Sequence, residues 1–208
     1  MKSLEMFALP SPAGSATEPL HQLMMQRRSA RSFGAAPLTL AQLGQLLWAA
    51  QGITHPEGLR TAPSAGALYP LELYAAVGAV DGLKPGVYHY RPDEHQLSKV
   101  AEGDRREPLA RAALGQSWIA EAAAVIVFAA IFERTTRKYG ERGVRYVHME
   151  VGHAGQNLHL QASALGLGTT VVGAFDDDEV SAVLGLPERT QPLTLMPVGY
   201  PAGDAGTD

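Results

Sequence analysis

Pro63-Ser64-Ala65-Gly66-Ala67-Leu68-Tyr69-Pro70 is the stretch on which the reading of this chain turns. Two prolines bracket a run of small residues, and an aromatic stands just before the second. By itself such a segment is a turn between two elements. Small Ser64, Ala65 and Gly66 also let backbone approach a flat ring closely, and the Ser64 hydroxyl can hydrogen-bond to it. Upstream lies Arg27-Arg28-Ser29-Ala30-Arg31-Ser32-Phe33, three guanidiniums with two hydroxyls. Arg27, Ser29 and Arg31 fall two residues apart, so an extended segment presents them on one face. A guanidinium binds phosphate oxygens bidentately and stays charged at any working pH. The alternatives are a solvated basic stretch for the arginines and a plain loop for the octapeptide.

The totals bound what these segments serve. The 208 residues suffice for one well-buried core and are too few for two ordinary domains. An apolar fraction of 46% with 18% charged residues is that of a globular protein. A net charge of −4 leaves no basic excess to neutralise phosphates, which argues against a nucleic-acid partner. The absence of cysteine excludes disulfides, thiolate metal sites and cysteine nucleophiles together. The longest apolar run, residues 122–132 between Glu121 and Glu133, falls well short of the roughly 20 residues that cross a bilayer, so no membrane partner is expected. The first residues hold one lysine and are interrupted by Glu5 and Pro10, a poor secretory signal, which leaves a cytoplasmic protein as the expectation.

Along the chain, residues 1–17 read as a flexible arm rich in Pro, Ala, Gly and Ser, and residues 18–208 as a single domain. A short helix over residues 18–27 delivers the arginines. Leu40, Leu43, Leu46, Leu47 and Ala50 keep one face of a helix, with Thr39 and Gln42 as its capping box and Gly52 as a left-handed stop. Residues 71–80 read as a strand, residues 87–90 and 96–100 as a hairpin, and residues 104–115 as a helix. Residues 122–132 have the length and branched side chains of a strand buried on both faces. Val147, Val151, Ala154, Leu158, Ala162 and Leu165 mark a long helix over residues 144–165. Gly152 and Gly155 inside it each cost about 1 kcal/mol relative to alanine, which points to close approach by another backbone or a ring. A strand over residues 169–174, a helix opened by Asp176-Asp177-Asp178-Glu179 and a last strand over residues 193–198 complete an α+β pattern with a mixed sheet.

Gly166, Gly168 and Gly173 do not form a dinucleotide site, because a helix precedes them, a strand follows, and the spacing differs from G-x-G-x-x-G. Glu150 and His153 have the spacing of carboxylate-bridged metal helices, but no second motif accompanies them, so a packing histidine is the better reading and no metal is expected. The acidic run at Asp176 lacks the alternation of a calcium loop and reads as an N-cap with an acidic first turn. Lys138-Tyr139 lies in the basic stretch Arg137-Lys138-Tyr139-Gly140-Glu141-Arg142-Gly143, either an exposed loop with a packing tyrosine or a reactive pair. A lysine that acts as base needs a depressed pKa, which burial or Arg134, Arg137, Arg142 or Arg145 could supply.

The arginine segment followed by the octapeptide resembles the flavin-binding signature of the nitroreductase family, and the octapeptide's wording is similar to the SagB-type dehydrogenase branch. Four motifs stand in family order over residues 18–201. The resemblance implies a nitroreductase-like fold, a mixed, mainly antiparallel sheet flanked by helices in an intertwined homodimer. It also implies FMN, with NAD(P)H as an electron donor that has no motif of its own. Arg27 would hold the FMN phosphate, with Arg28 as a second cation, since the end of the chain lacks the basic residue many members carry there. Ser29 and Arg31 would reach the ribityl chain and the pyrimidine side of the ring. Pro63, Ser64, Ala65 and Gly66 would meet the ring across the dimer interface. Val172, Gly173 and Ala174 would flank flavin N5, to which Gly173 presents its N–H. Lys138 and Tyr139 match an adjacent pair that removes a substrate proton in azoline dehydrogenases. The activity implied is hydride transfer through N5, on a peptide-borne azoline or on a small nitro or quinone acceptor. The other reading is a flavin-binding or flavin-processing protein without turnover.

Overall fold

The computed structural model describes residues 5–10 and 20–202. In chain order the first elements are β1 (Met6–Ala8), α1 (Leu20–Gln26), α2 (Leu40–Gln51), a single 3₁₀ turn (Ala65–Ala67), β2 (Leu71–Val77), β3 (Gly86–Arg91) and β4 (Gln96–Glu102). Then follow α3 (Arg106–Ala112), α4 (Trp118–Glu121), β5 (Ala124–Ala130), α5 (Glu133–Tyr139), α6 (Arg142–Ala164), β6 (Gly168–Thr169), α7 (Asp177–Leu184) and β7 (Gln191–Gly199). The strands form one sheet in the order β1-β4-β3-β2-β5-β7-β6. Every ladder in it is antiparallel, and among the described residues parallel pairing occurs only at the isolated bridges Ser29–Thr169 and Leu38–Val80.

β5 is the keel of the sheet. All of its residues are buried, as its unbroken apolar run requires. Successive side chains of a strand point to opposite faces. Ala124, Ile126, Phe128 and Ala130 therefore join Leu71, Leu73, Ala75 and Val77 of β2 in one core, closed by Leu43, Leu46 and Leu47 of α2 and by Val147, Ala154 and Leu158 of α6. Val125, Val127 and Ala129 meet Tyr74 and Ala76 in a second core, closed by Leu109, Ile119, Val180 and Leu184 from α3, α4 and α7. Each fully buried leucine contributes about 1.5–3 kcal/mol through the area it removes from water.

Several local expectations hold in atomic detail. At the start of α2, Gln42 N donates to Thr39 Oγ1 at 3.1 Å and Thr39 N donates to Gln42 Oε1 at 2.9 Å. Glu179 N donates to Asp176 Oδ1 at 2.9 Å and opens α7. Gly166, just past α6, has a φ of 69°. No helix among the described residues is long and apolar enough to cross a membrane.

Four expectations are corrected. Gly52 is extended, with φ −66° and ψ 149°, and it is glycine because a Cβ there would collide with the Trp48 ring. Within the arm expected over residues 1–17, Met6–Ala8 pairs with β4, Phe7 packs edge-on against Tyr88 and Leu9 is buried; residues 1–4 and 11–17 lie outside the described residues. The strand expected over residues 169–174 is broken after Thr169. Thr169–Val198 and Val172–Leu195 share one register, which sets Thr170 opposite Pro197, a residue with no N–H to give the ladder. Within this chain Gly152 and Gly155 meet no other backbone or ring: an added Cβ at Gly155 would meet only Met196 Sδ at 3.6 Å, and one at Gly152 nothing within 4 Å.

Candidate active site

The octapeptide is held under backbone strain. Gly66, Ala67 and Tyr69 all have positive φ, at 64°, 54° and 45°. Left-handed geometry costs a residue with a side chain about 1–2 kcal/mol. The surrounding bonds offset that cost. Ala67 N donates to Ser64 O at 3.1 Å, and Tyr69 N donates to Ser64 Oγ at 2.9 Å. Arg60 N donates to Tyr69 Oη at 3.1 Å, and the Arg60 guanidinium lies 4.6 Å from the centre of that ring.

α5, where sequence reading saw a basic loop, runs along the octapeptide. Arg134 and Lys138 are one helical turn apart and so share a face. Arg134 Nη1 donates to Tyr69 O at 3.0 Å, while its other nitrogen pairs with Glu72. Glu72 also shares a hydrogen bond with His89 Nε2, and His89 stacks on Tyr74. Burial pushes the Glu72 carboxyl up, but His89 and Arg134 outweigh it and hold the group below the usual carboxylate range. One turn further on, Lys138 and Tyr139 converge on Gly66. A Cβ built there would stand 2.9 Å from Lys138 Nζ and 2.7 Å from Tyr139 Oη. Lys138 is exposed and Tyr139 half-buried, its ring edge-on to Tyr146 at 5.2 Å.

Beneath the octapeptide, α6 contributes Glu150, which is only 2% exposed. Burial pushes its carboxyl up to about 7, against weaker pulls from Ser64, Arg60 and Gln51. His153 is exposed, and among the described residues no cluster is suited to hold a metal ion.

The arginine segment forms a different environment. Ser29 bridges Thr169, and Ala30 N donates to Thr169 O at 3.0 Å, so the segment extends the edge of the sheet beside β6. On its other side Gly34 N bonds Tyr200 O and Ala202 N bonds Ser32 O. Arg28 folds back, donating to Met25 O at 2.8 Å and to Arg27 O at 2.9 Å at the end of α1. Arg27 is half-buried near His159 of α6, whose imidazole is lowered to about 4 by burial and then by the Arg27 charge. Arg31 and Ser29 are exposed. Among the described residues no carboxylate pairs with Arg27, Arg28 or Arg31. Following Thr169, Val172 is buried, whereas Gly173 and Ala174 are exposed. A Cβ at Gly173 would meet nothing within 4 Å, so the fold of this chain does not itself require glycine there.

The structure thus gathers the candidate residues into two groups. Arg27, Arg28, Ser29 and Arg31 belong to the segment that bridges Thr169, and Val172, Gly173 and Ala174 follow a few residues beyond Thr169. Pro63, Ser64, Ala65 and Gly66 lie with Lys138 and Tyr139. Glu150 marks one group and His159 the other, and nine residues of α6 place them about 14 Å apart along the axis. Glu72 and Arg60 were missed in sequence, and Arg134, named there only as a charge near Lys138, is also the donor to Tyr69 O. The i, i+4 spacing of Arg134 and Lys138 was the one available signal, and it needed α5 to be recognised as a helix.

The nitroreductase family model matches residues 24–200. The nitroreductase-like protein MJ1384 of Methanocaldococcus jannaschii is 50% identical over 180 residues, covering 86% of this chain and 90% of that protein. The microcin B17-processing protein McbC of Escherichia coli is 32% identical over 136 residues, 63% of this chain and 50% of McbC, so the match reaches half of that protein. A nitroreductase-like crystal structure from Anabaena variabilis superposes with a TM-score of 0.84 at 32% identity, over 96% of this chain and 42% of that one.

Proposed function

The chain belongs to the nitroreductase family, and from that premise we propose that it is an FMN-dependent dehydrogenase of the SagB type. The observation that carries this reading is the convergence of Lys138 Nζ and Tyr139 Oη on Gly66 of the octapeptide. A dehydrogenation that begins at a carbon acid needs a base beside the substrate, and Lys138 and Tyr139 stand where that base is needed. With Lys138 exposed in the single chain, its neutral form depends on nearby cations or on cover from substrate and a second copy. FMN, when bound, supplies the hydride acceptor at N5.

The residues fit such a cofactor. Arg27 and Arg31, with no carboxylate partner among the described residues, suit a phosphate and the electron-rich pyrimidine edge. Exposed Ser29 offers a hydroxyl to the ribityl chain. Gly173 offers a backbone N–H with open space where a side chain would stand. Pro63, Ser64, Ala65 and Gly66 supply a wall without bulk. The spacing of the two groups along α6 supports a site shared between two copies, the arginines of one facing the octapeptide of the other. We therefore propose a homodimer, which sedimentation of a stable flavin-loaded monomer would refute.

The 50% identity to MJ1384, a protein named for nitroreductase chemistry, favours a second reading, an NAD(P)H-dependent nitro or quinone reductase. Kinship with McbC, whose name ties it to processing microcin B17, favours a peptide-borne azoline. Purified protein should be yellow and release FMN on denaturation; a colourless protein that FMN does not perturb excludes both. Bleaching of bound flavin by NADPH without oxygen supports the reductase, and bleaching by a thiazoline supports the dehydrogenase. Bleaching by neither leaves a flavin-binding protein without turnover.

A further inference from the structure

A cavity of about 380 Å³ opens between the end of the octapeptide, the start of β2 and the turn that follows β3. None of the residues assigned above to flavin or to the base lines it. Its charged residues are Arg60, Arg91 and Arg134 against Glu72 and Asp93. Two of these five cancel, since Arg134 pairs with Glu72, whose other oxygen is taken by His89. Arg60, Arg91 and Asp93 form no ion pair among the described residues.

Arg60 is the unusual member. It is half-buried, and a charge drawn out of water is ordinarily matched by an opposite one. Here the partners are neutral: Nη1 donates to Gln51 Oε1 at 3.0 Å, and the guanidinium lies over the Tyr69 ring. Nε is buried without a partner, whereas Nη2, also without one among the described residues, is open to solvent. Burial pulls the group below its usual range, against weaker pulls from Asp93 and Glu72. Asp93 is thus close enough to act on the guanidinium but does not close on it.

The charges favour one ligand chemistry. A cation would meet the unpaired Arg60 and Arg91 with Asp93 alone to hold it. A phosphate dianion would meet Glu72 and Asp93 as well as the arginines. A carboxylate brings a single charge on two oxygens, which accept readily from guanidinium nitrogens. Leu68, Leu71 and Tyr90 line the remaining wall, and the volume falls at the lower end of small-molecule sites. We propose that this cavity binds a small organic acid, with Arg60 Nη2 donating to the carboxylate, exposed Arg91 adding a second cation at the rim, and Leu68, Leu71 and Tyr90 receiving the apolar body. Such a carboxylate has two sources, a free acid or the last residue of a peptide.

The test is calorimetric titration of the purified protein with 4-methylpentanoate and benzoate, each beside its amide, and with N-acetylglycylleucine. At least one acid should bind about tenfold more tightly than its amide, with the preference shrinking as salt is raised. Arg60→Met should abolish the preference. Arg91→Gln and Asp93→Asn, both at exposed positions, guard against misfolding around residue 60. The first should weaken binding of the acid, the second should strengthen it by removing a like charge, and neither should move the amide. N-acetylglycylleucine binding about tenfold more tightly than 4-methylpentanoate names a peptide end as the source, and equal or weaker binding names the free acid. The proposal is overturned if no acid is preferred to its amide, if the preference survives Arg60→Met, or if Asp93→Asn weakens binding of the acid. Neither flavin nor turnover enters this readout, so its failure would leave the flavin reading standing, and a protein that binds no FMN would still be tested at this cavity.

Discussion

The two groups of candidate residues are built on opposite principles. Around the octapeptide, three left-handed residues within four positions are pinned by Ser64, Arg60 and Arg134, and Arg134 is itself held by Glu72. Around Thr169, the arginine segment is extended, and Arg27 and Arg31 have no anionic partner among the described residues. One region pairs Arg134 with Glu72 under a strained backbone. The other has a relaxed backbone and unsatisfied charge. Strain persists where the surroundings over-determine it, and free cations persist where water or a ligand receives them. The first region is therefore the one on which the proposed base would depend, and the second the one on which the proposed phosphate contact would depend.

The largest effect expected from this contrast is at Lys138. Lys138→Ala should lower dehydrogenation by about 10²–10⁴-fold, the usual worth of a positioned base, while FMN content stays intact. Nitro or quinone reduction, measured on the same preparation, should change little. Equal loss of both activities would make Lys138 part of the scaffold and erase the functional difference between the regions.

Protonation sharpens the comparison further, because each region rests on one titratable residue of α6. Glu150, raised to about 7 from 4.5 in the unfolded chain, binds its proton more tightly in the folded state. Its contribution is full below pH 4.5 and is lost as pH rises towards 7. His159, lowered to about 4 from 6.5, does the reverse: its stability is present above pH 6.5 and is lost as pH falls towards 4. Each contributes on the order of 3 kcal/mol, so the two slopes largely cancel in the wild type between pH 4.5 and 6.5. Urea unfolding across that window should find stability rising with pH in Glu150→Gln and falling with pH in His159→Gln. Parallel profiles in the two variants would refute the assignment.

Arg27→Ala should weaken FMN binding by about 1.5–3 kcal/mol, through loss of a charge-assisted bond, with thermal unfolding of the flavin-free protein nearly unchanged. Gly66→Ala should do the converse. It adds a side chain at a φ of 64° and forces Lys138 and Tyr139 aside, costing about 1–2 kcal/mol of stability by urea titration. If Gly66→Ala is neutral, the strained loop is looser than its bonds imply. The smallest effect belongs to Arg28. Its donors are engaged at the end of α1, so Arg28→Ala should cost about 0.3–1 kcal/mol in thermal unfolding and shift FMN affinity far less than Arg27→Ala does. A loss of affinity equal to that of Arg27→Ala would show that Arg28 swings out to hold phosphate.

Much of this was legible in the chain itself. The leucines of α2 and the apolar face of α6 repeat at helical spacing, Thr39 and Asp176 announce their caps, and the run before Phe132 reads as a strand buried on both sides. These signals are local: each depends on residues within a turn or two of one another. The same locality explains the misses. Met6–Ala8 is a strand because an edge of β4 lies beside it. Residues 169–174 break as a strand because Pro197 stands across from them. α5 hid inside a basic stretch whose pattern resembles a loop.

For the site, the sequence by itself determined which residue types were present, in what order, and hence the family and the class of cofactor they suit. Only the tertiary structure decided which of them meet. It set Lys138 and Tyr139 against Gly66, turned Arg28 back onto α1, and buried Glu150 beneath Ser64 with one oxygen unpaired. Charge state, strain and hydrogen-bond satisfaction belong to an environment assembled from segments far apart in the chain, so no spacing along the sequence could have expressed them.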